Sequence, residues 1–378
     1  MSDLKPSFFN SIDQITLEQW RSLGCGNNIY YTPEFLKAFE AANPDIGFTY
    51  IIIYNGDEPV AFVNTQLVSI SVKTITKNIK IANWLKKGIN NLFCNSKIRI
   101  LFVGNVFLSG EYGTFLRAGE DKVNTFRAIA EAVNALTKTT KNLHGIFVKD
   151  FEQESLYITD HLIEYDYAIM QVEPNMIITL DPEWETFDDY KGALRSKYRV
   201  KANKADATSK RLVAKRFTDD EVAKYKDELQ LLYENTISNA NFNAQVLNLN
   251  TYTNLKAEYH DNFIVKGYFL EQKLVGFLSA MVNQDNLDAH FIGLDYTLNK
   301  EHAIYPRILN DYVRLGLEHG SKRINLGRTA SEIKSTLGAK PKDLICYFKH
   351  KRSWINHFVK PFASNIKIKS FKEHQAFK

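Results

Sequence analysis

The feature that most constrains the fold of this chain is an internal echo. In the first half, the β-branched and aromatic run Thr49-Tyr50-Ile51-Ile52-Ile53-Tyr54 meets the turn signal Asn55-Gly56-Asp57. It resumes as Pro59-Val60-Ala61-Phe62-Val63. That is a hairpin pattern. In the second half, Phe263 to Leu270 passes through Glu271-Gln272-Lys273 into Leu274 to Ala280. Val60-Ala61-Phe62 aligns with Val275-Gly276-Phe277, with a small residue in the middle of both. A strand pattern follows each hairpin, Ile98 to Val103 and Ala289 to Leu294. Then come helical patterns over Lys122 to Thr137 and Ala303 to Glu318, the second with the apolar stripe Ile304, Ile308, Tyr312 and Leu315 and a stop at Gly320. Gly145 to Val148 and Arg323 to Leu326 close the two series as short strands.

This order predicts an α/β protein with mixed sheets in two similar lobes. Each sheet needs helices on its apolar faces and cover for its free edge, and two lobes packed together would share a cleft. A chain of 378 residues suits two domains of ordinary size. The expected bounds are 1–175, 176–345 and a basic aromatic tail over 346–378. Glu173-Pro174 and Asp181-Pro182 mark the first boundary. The strand-like Met176 to Leu180 between them fits either half, and residues 241–262 resist assignment.

Cys25, Cys94 and Cys346 form neither a CxxC pair nor a disulfide framework, which points to a reducing compartment. The first residues lack a basic region followed by an apolar one, and no apolar run reaches membrane-spanning length. The expectation is a cytoplasmic protein. No H-E-x-x-H, G-x-S-x-G or Cys/His ligand series occurs, so no metal site and no serine-triad chemistry is expected.

Net charge is only +5, but the positive charge is gathered. Lys191 to Arg216 holds ten basic residues and only Asp206 as an acid, and Lys340 to Lys378 holds ten against Asp343 and Glu373. Such patches fit an anionic ligand: a phosphorylated cofactor, a lipid headgroup or tRNA. Read as one helix from Tyr190 to Ala205, the first patch puts Arg195 and Arg199 on one face and Lys197, Lys201 and Lys204 on another. In the tail, Trp354, Ile355, Phe358 and Val359 would form an apolar helix face suited to an anionic membrane surface, or to packing on the second domain.

The most polar short stretch is Asn325-Leu326-Gly327-Arg328-Thr329-Ala330-Ser331-Glu332-Ile333-Lys334-Ser335, running on to Gly338 and Ala339. A helix beginning near Thr329 would present backbone N–H groups to an anion, and Arg328 could fork onto a carboxylate or phosphate. Together with Ile304-Tyr305-Pro306-Arg307-Ile308-Leu309, this stretch resembles the BioF2-like branch of the GNAT acyltransferase superfamily. More remotely it is similar to the Fem-type peptidoglycan-bridge aminoacyltransferases. Arg195-Ser196-Lys197-Tyr198-Arg199 looks like the basic entry into their second domain. The likeness spans roughly residues 25–345.

The resemblance implies tandem GNAT-like domains and acyl transfer to an amine, from an acyl-coenzyme A thioester or from aminoacyl-tRNA. No Q/R-x-x-G-x-G/A loop, which cradles pyrophosphate in ordinary GNAT enzymes, follows the central strands, and the long coiled-coil hairpin of some Fem enzymes is missing. The thioester is the expected donor and tRNA the alternative. The acceptor would be a small-molecule or lipid-linked amine. A third reading is a binding protein that kept the double fold without catalysis. Glu332 is the candidate base, His290 the second candidate, and Tyr305 the group that protonates the leaving group or orients the carbonyl. Arg328, Lys334 and Ser335 are candidates for substrate binding. Arg195, Lys197, Arg199 and Lys201 are candidates for holding the donor's phosphates.

Overall fold

The computed structural model describes residues 4–72, 96–239, 244–365, 368 and 370–378. Cys94 lies outside them. The chain gathers into two compact units, one of Met1–Val172, Asn241–Leu247 and Asp343–Ile368, the other of Glu173–Ala240, Asn248–Lys342 and Lys369–Lys378. Both are mixed α/β.

In the first unit, β1 (Leu4–Phe9), β2 (Gly47–Asn55), β3 (Glu58–Ser71) and β4 (Lys97–Val103) pair antiparallel in that order, and β5 (Thr114–Leu116) pairs with β3. The β2–β3 turn forms where Asn-Gly requires it, with Gly56 at φ +63°. A helix at Lys122–Thr139 is capped by Asp121, whose carboxylate accepts from the Val123 and Asn124 N–H groups. It buries Phe126, Ile129 and Val133 against Ile51, Val63, Leu101 and Ile146 of the sheet. The chain then returns as β6 (Leu143–Phe151), parallel to β4.

In the second unit, β7 (Ala168–Thr179), which begins in the first unit's segment, pairs antiparallel with β12 (Arg323–Asn325) through Ile177, Ile178 and Thr179. β8 (Leu212–Arg216), β9 (Phe263–Leu270), β10 (Lys273–Asn283) and β11 (Asn286–Leu294) pair antiparallel in sequence, and β11 pairs parallel with β12. The helix Ile304–Glu318 crosses between β11 and β12. Its stripe Ile304, Ile308, Tyr312 and Leu315 packs on Val275, Leu278, Leu287 and Ile324, burying each residue almost completely. Each such side chain contributes about 1.5–3 kcal/mol. The small residue of Val275-Gly276-Phe277 has a reason: a Cβ on Gly276 would lie 2.7 Å from Cγ2 of Ile304. The chain then re-enters the first unit as β13 (Lys340–His350), which pairs antiparallel with β6 from Ile345 onward.

Several expectations are corrected by local chemistry. The basic helix is two helices, Phe187–Ala193 and Ser196–Thr208, broken at Leu194 and Arg195, where both residues have extended ψ. Arg195 therefore stands at the N-cap position of the second helix, with its side chain turned to the Phe377 carbonyl, and does not share a helical face with Arg199. The helix expected from Thr329 to Gly338 shrinks to Ser331–Ser335, because Gly327, Thr329 and Ala330 all take positive φ. The unassigned stretch contains a helix at Asn250–Tyr259. In the tail helix Ser353–Ser364, Ile355 and Val359 are half-buried, and the exposed stripe is Trp354, Phe358 and Phe362. Among the described residues no helix is long and apolar enough to cross a membrane.

Candidate active site

A parallel pair that separates leaves strand-edge groups without a neighbour, and the second unit contains one. β11 and β12 are in register only from Asn286–Arg323 to Asp288–Asn325. Past that point the chain after β12 leans to β7: the Leu326 N–H donates to the Met176 carbonyl, and the Met176 N–H to the Gly327 carbonyl. Among the described residues, β11 continues in strand pairing with β10 alone.

The divergence coincides with a β-bulge. Leu278 faces Ile292 and Ala280 faces Ala289, so the single residue Ser279 stands opposite both His290 and Phe291. The Ser279 hydroxyl substitutes for the lost ladder pairing. It accepts from the Phe291 N–H and donates to the Phe291 carbonyl, both at 3.0 Å, and it accepts from the Tyr252 hydroxyl at 2.6 Å. Tyr312 donates to the Ser279 carbonyl at 3.0 Å. Burial pushes the Tyr252 and Tyr312 phenols well above their ordinary range, so both stay protonated donors. Phe291 and Asp295 direct their N–H groups to β10. Strand alternation therefore turns the intervening Ile292 N–H toward the divergence.

His290 and Tyr305 belong to this neighbourhood. Burial pushes His290 down to about 3, so its imidazole stays neutral and is a weak proton acceptor. Its ring centroid lies 6.1 Å from that of Phe263. Tyr305 stands in the first turn of Ile304–Glu318, and burial raises its phenol, with Tyr296 adding to the shift.

The start of that helix also tests the fit of a pyrophosphate. Tyr305 gives its N–H to the Asn299 side chain at 2.8 Å, Pro306 has no N–H, and Arg307 bonds back to the Ala303 carbonyl. Three of the first four positions thus offer no donor to an anion. Ala303, at φ +46°, makes the sharp entry in place of a glycine-rich loop. The backbone cradle of a coenzyme A pyrophosphate is not formed here.

The remaining candidates lie around the segment after β12. Lys334 is buried and turned inward, donating to the carbonyls of Leu326 at 2.7 Å, Gly327 at 3.1 Å and Arg328 at 2.6 Å. It holds the strained loop in place. Burial pushes this ammonium down to about 7, with Glu173 partly opposing. The unfolded chain keeps a lysine protonated to about pH 10. The unfolded state therefore binds more protons above pH 7, and this group makes stability rise from about pH 7 toward 10. Lys334→Met should abolish that rise and cost about 1–3 kcal/mol by stripping donors from buried carbonyls. Thermal unfolding across that pH range measures both.

Ser335 is also turned inward, donating to the Glu332 carbonyl and accepting from the His374 N–H. Glu332 is mostly exposed, with His374 Nε2 3.4 Å from its carboxylate. Nδ1 of the same imidazole is 3.2 Å from the Tyr198 hydroxyl, and Lys197 and Lys201 both lie 5.8 Å from the Tyr198 ring. The chain end thus brings Glu332 and the basic helix together, which local sequence pattern does not reveal. Arg195 donates from Nε to the Phe377 carbonyl, and Arg199 to the Ser196 hydroxyl.

The first unit has a comparable parallel pair, but its far end is filled. β4 and β6 are in register to Val103–Val148, and the next residue, Lys149, donates to the carbonyls of Asn105 and Leu108 and to the Asp150 carboxylate. Its stem packs so tightly on Gly104 that a Cβ there would meet Lys149 Cγ at 2.7 Å. Elsewhere in the second unit, a cavity of about 330 Å³ is lined by Arg216, Asp219, Lys256 and His260 among others. It lies on the β8–β9 side. There Arg216 is paired with Glu318 and Lys256 is bonded to the His260 and Phe263 carbonyls. The divergence, where among the described residues β11 has no strand neighbour on one side, is chemically the better candidate.

No family model matches the sequence, and no curated protein does. Solved structures do match in fold. A tandem GNAT protein from the clavulanic acid biosynthesis pathway aligns over 92% of this chain and 98% of its own, with a TM-score of 0.52 and 10% identity. The L-PGS protein of Bacillus licheniformis aligns over 93% and 97%, also with a TM-score of 0.52 and 10% identity. These likenesses concern the fold, which is similar to that of a tandem GNAT protein.

Proposed function

We propose that the second unit transfers an acyl group from an activated ester or thioester to an amine, at the divergence of β11 and β12. One observation carries this reading: a buried hydroxyl cluster centred on Ser279 fixes a bulge where β11 loses its neighbour. The donor carbonyl would lie along the open edge of β11, with the Ile292 N–H directed at its oxygen. Preorganised donors aimed at a developing oxyanion are among the strongest contributions to acyl transfer. The neutral amine nitrogen attacks the carbonyl carbon, and the tetrahedral intermediate collapses as the C–S or C–O bond breaks, the proton the amine loses balancing the one that the departing thiol or ribose hydroxyl gains. Tyr305 would donate a hydrogen bond to that leaving group. Glu332 is the candidate to take the amine's proton, and His290 serves as a neutral hydrogen-bonding wall.

The helix start argues for a carrier held by side chains. Lys197, Lys201 and Lys204 are exposed on the helix Ser196–Thr208, and no carboxylate pairs with them among the described residues. The single acid there, Asp206, is engaged by Arg314 and Asn310. Such a row suits the extended phosphate backbone of a tRNA acceptor end as well as the phosphates of an acyl-coenzyme A. Mass-spectrometric detection of acylated amine, with acyl-coenzyme A and aminoacyl-tRNA panels supplied in parallel, tests the reading. Turnover with either class supports it and names the donor. Absence of turnover with every donor would sink it in favour of a non-catalytic binding protein.

A further inference from the structure

The tail helix Ser353–Ser364 sits in the first unit with its direction fixed. Asn356, fully buried, accepts from the His350 N–H at 2.7 Å and donates from Nδ2 to the Asp166 carbonyl and carboxylate, each at 2.8 Å. Lys360 adds an ion pair to Asp166 at 2.7 Å, and Ala363 is buried. One face is therefore anchored, and the helix cannot roll to hide the other. On that other face, at successive four-residue steps, stand Trp354, Phe358 and Phe362, exposed by 65%, 71% and 56%. Three large aromatic rings aligned in water are costly to leave uncovered.

The charge around the stripe indicates what covers it. From Leu344 to Ile368 the chain has no carboxylate at all, against Lys349, Lys351, Arg352 and Lys360 among the described residues. Arg352 is exposed at the start of the helix. Lys351 donates to the Thr140 carbonyl, which places that end beside the exposed Lys138 and Lys141. An aromatic stripe rimmed by cations is the pattern of a helix that lies in the headgroup layer of a negatively charged bilayer. At twelve residues the helix is far too short to span.

We infer that this helix docks the protein on an anionic lipid surface, with Trp354, Phe358 and Phe362 inserted below the headgroups and Arg352, Lys138 and Lys141 against the phosphates. The inference does not depend on the transfer reaction, since every residue it uses lies in the first unit. The full chain should cosediment with vesicles of phosphatidylcholine and phosphatidylglycerol, and only weakly with phosphatidylcholine alone. Added salt should release it.

The triple substitution Trp354→Ser, Phe358→Ser and Phe362→Ser should weaken binding by about tenfold or more, and Arg352→Glu should weaken it less and reduce the salt dependence. These side chains are exposed, so the far-ultraviolet circular dichroism of both variants should match the parent. Acyl transfer between soluble substrates, where found, should be unchanged in the triple variant. Equal vesicle binding by parent and triple variant would overturn the inference, and so would no binding by the parent at low salt. Concentration-dependent self-association that the triple substitution abolishes, without any vesicle binding, would assign the stripe to a second copy of this chain instead.

Discussion

Replacing Asp311 by alanine is expected to remove about 3–5 kcal/mol from the stability of the second unit. Asp311 lies on the helix Ile304–Glu318 and is fully buried. Its carboxylate meets Lys266 at 2.9 Å, Arg307 at 3.0 Å and Arg314 at 2.7 Å, and accepts from the Tyr268 hydroxyl at 2.8 Å. Alanine would leave three cations facing one another with no anion between them. Burial alone would raise the Asp311 carboxyl, but Lys266 and Arg307 more than offset it and hold it below its ordinary range. A depressed folded-state value means that the stabilisation is complete above about pH 4 and is lost as pH falls through the folded value. Acid unfolding of the parent should show this dependence and the Asp311→Ala protein should lack it. An alanine variant as stable as the parent at neutral pH would show that the hub does not hold the helix to the sheet.

The second large effect concerns Ser279. Ser279→Ala is expected to lower the rate constant of acyl transfer by about 10²–10³, the range for losing a group that sets an oxyanion site. The hydroxyl touches no substrate in this account. It acts by positioning Phe291, and through the strand the Ile292 N–H. The loss should therefore fall on kcat with KM little changed, whereas simple destabilisation would lower the amount of active protein and leave kcat per folded molecule intact. Ser279→Thr, which keeps the oxygen, should recover part of the rate. Loss of stability should be modest, about 1–3 kcal/mol for the Tyr252 hydroxyl and Phe291 backbone groups left unpaired. Measured kcat per folded molecule equal to that of the parent would remove Ser279 from the site.

The hairpins, the two crossover helices and the short strands after them were legible because each carries its own period: β-branched alternation around Asn55-Gly56, and the stripe Ile304, Ile308, Tyr312, Leu315 at helical spacing. The site was less legible, because its groups owe their roles to tertiary placement. Ser279 offered one faint signal, a lone hydroxyl inside the apolar run Val275 to Ala280. Its partners Tyr252 and Tyr312 come from helices far apart in sequence. Asp311 adjoins Tyr312 of the apolar stripe, and its three cationic partners appear only in the folded structure. The polar stretch from Arg328 to Ser335 read as substrate-facing, yet the sequence carries no sign that Lys334 folds back onto three carbonyls. Nor does it disclose that His374, near the end of the chain, stands beside Glu332. The break at Leu194 and Arg195 was invisible to a count of like charges. It depends on the β-bridge from Leu194 to Phe377 and the Arg195 N–H bond to the Ala376 carbonyl.

The account depends on an acyl carbonyl lying against the free edge of β11. Amide hydrogen exchange, with and without a non-reactive analogue of whichever donor turns over, reads that edge residue by residue. Slower exchange over Ala289 to Leu294, greatest at Ile292, is the predicted result. Protection confined to the Lys149–Asp150 region of the first unit, or to the cavity beside Arg216 and Lys256, would contradict it.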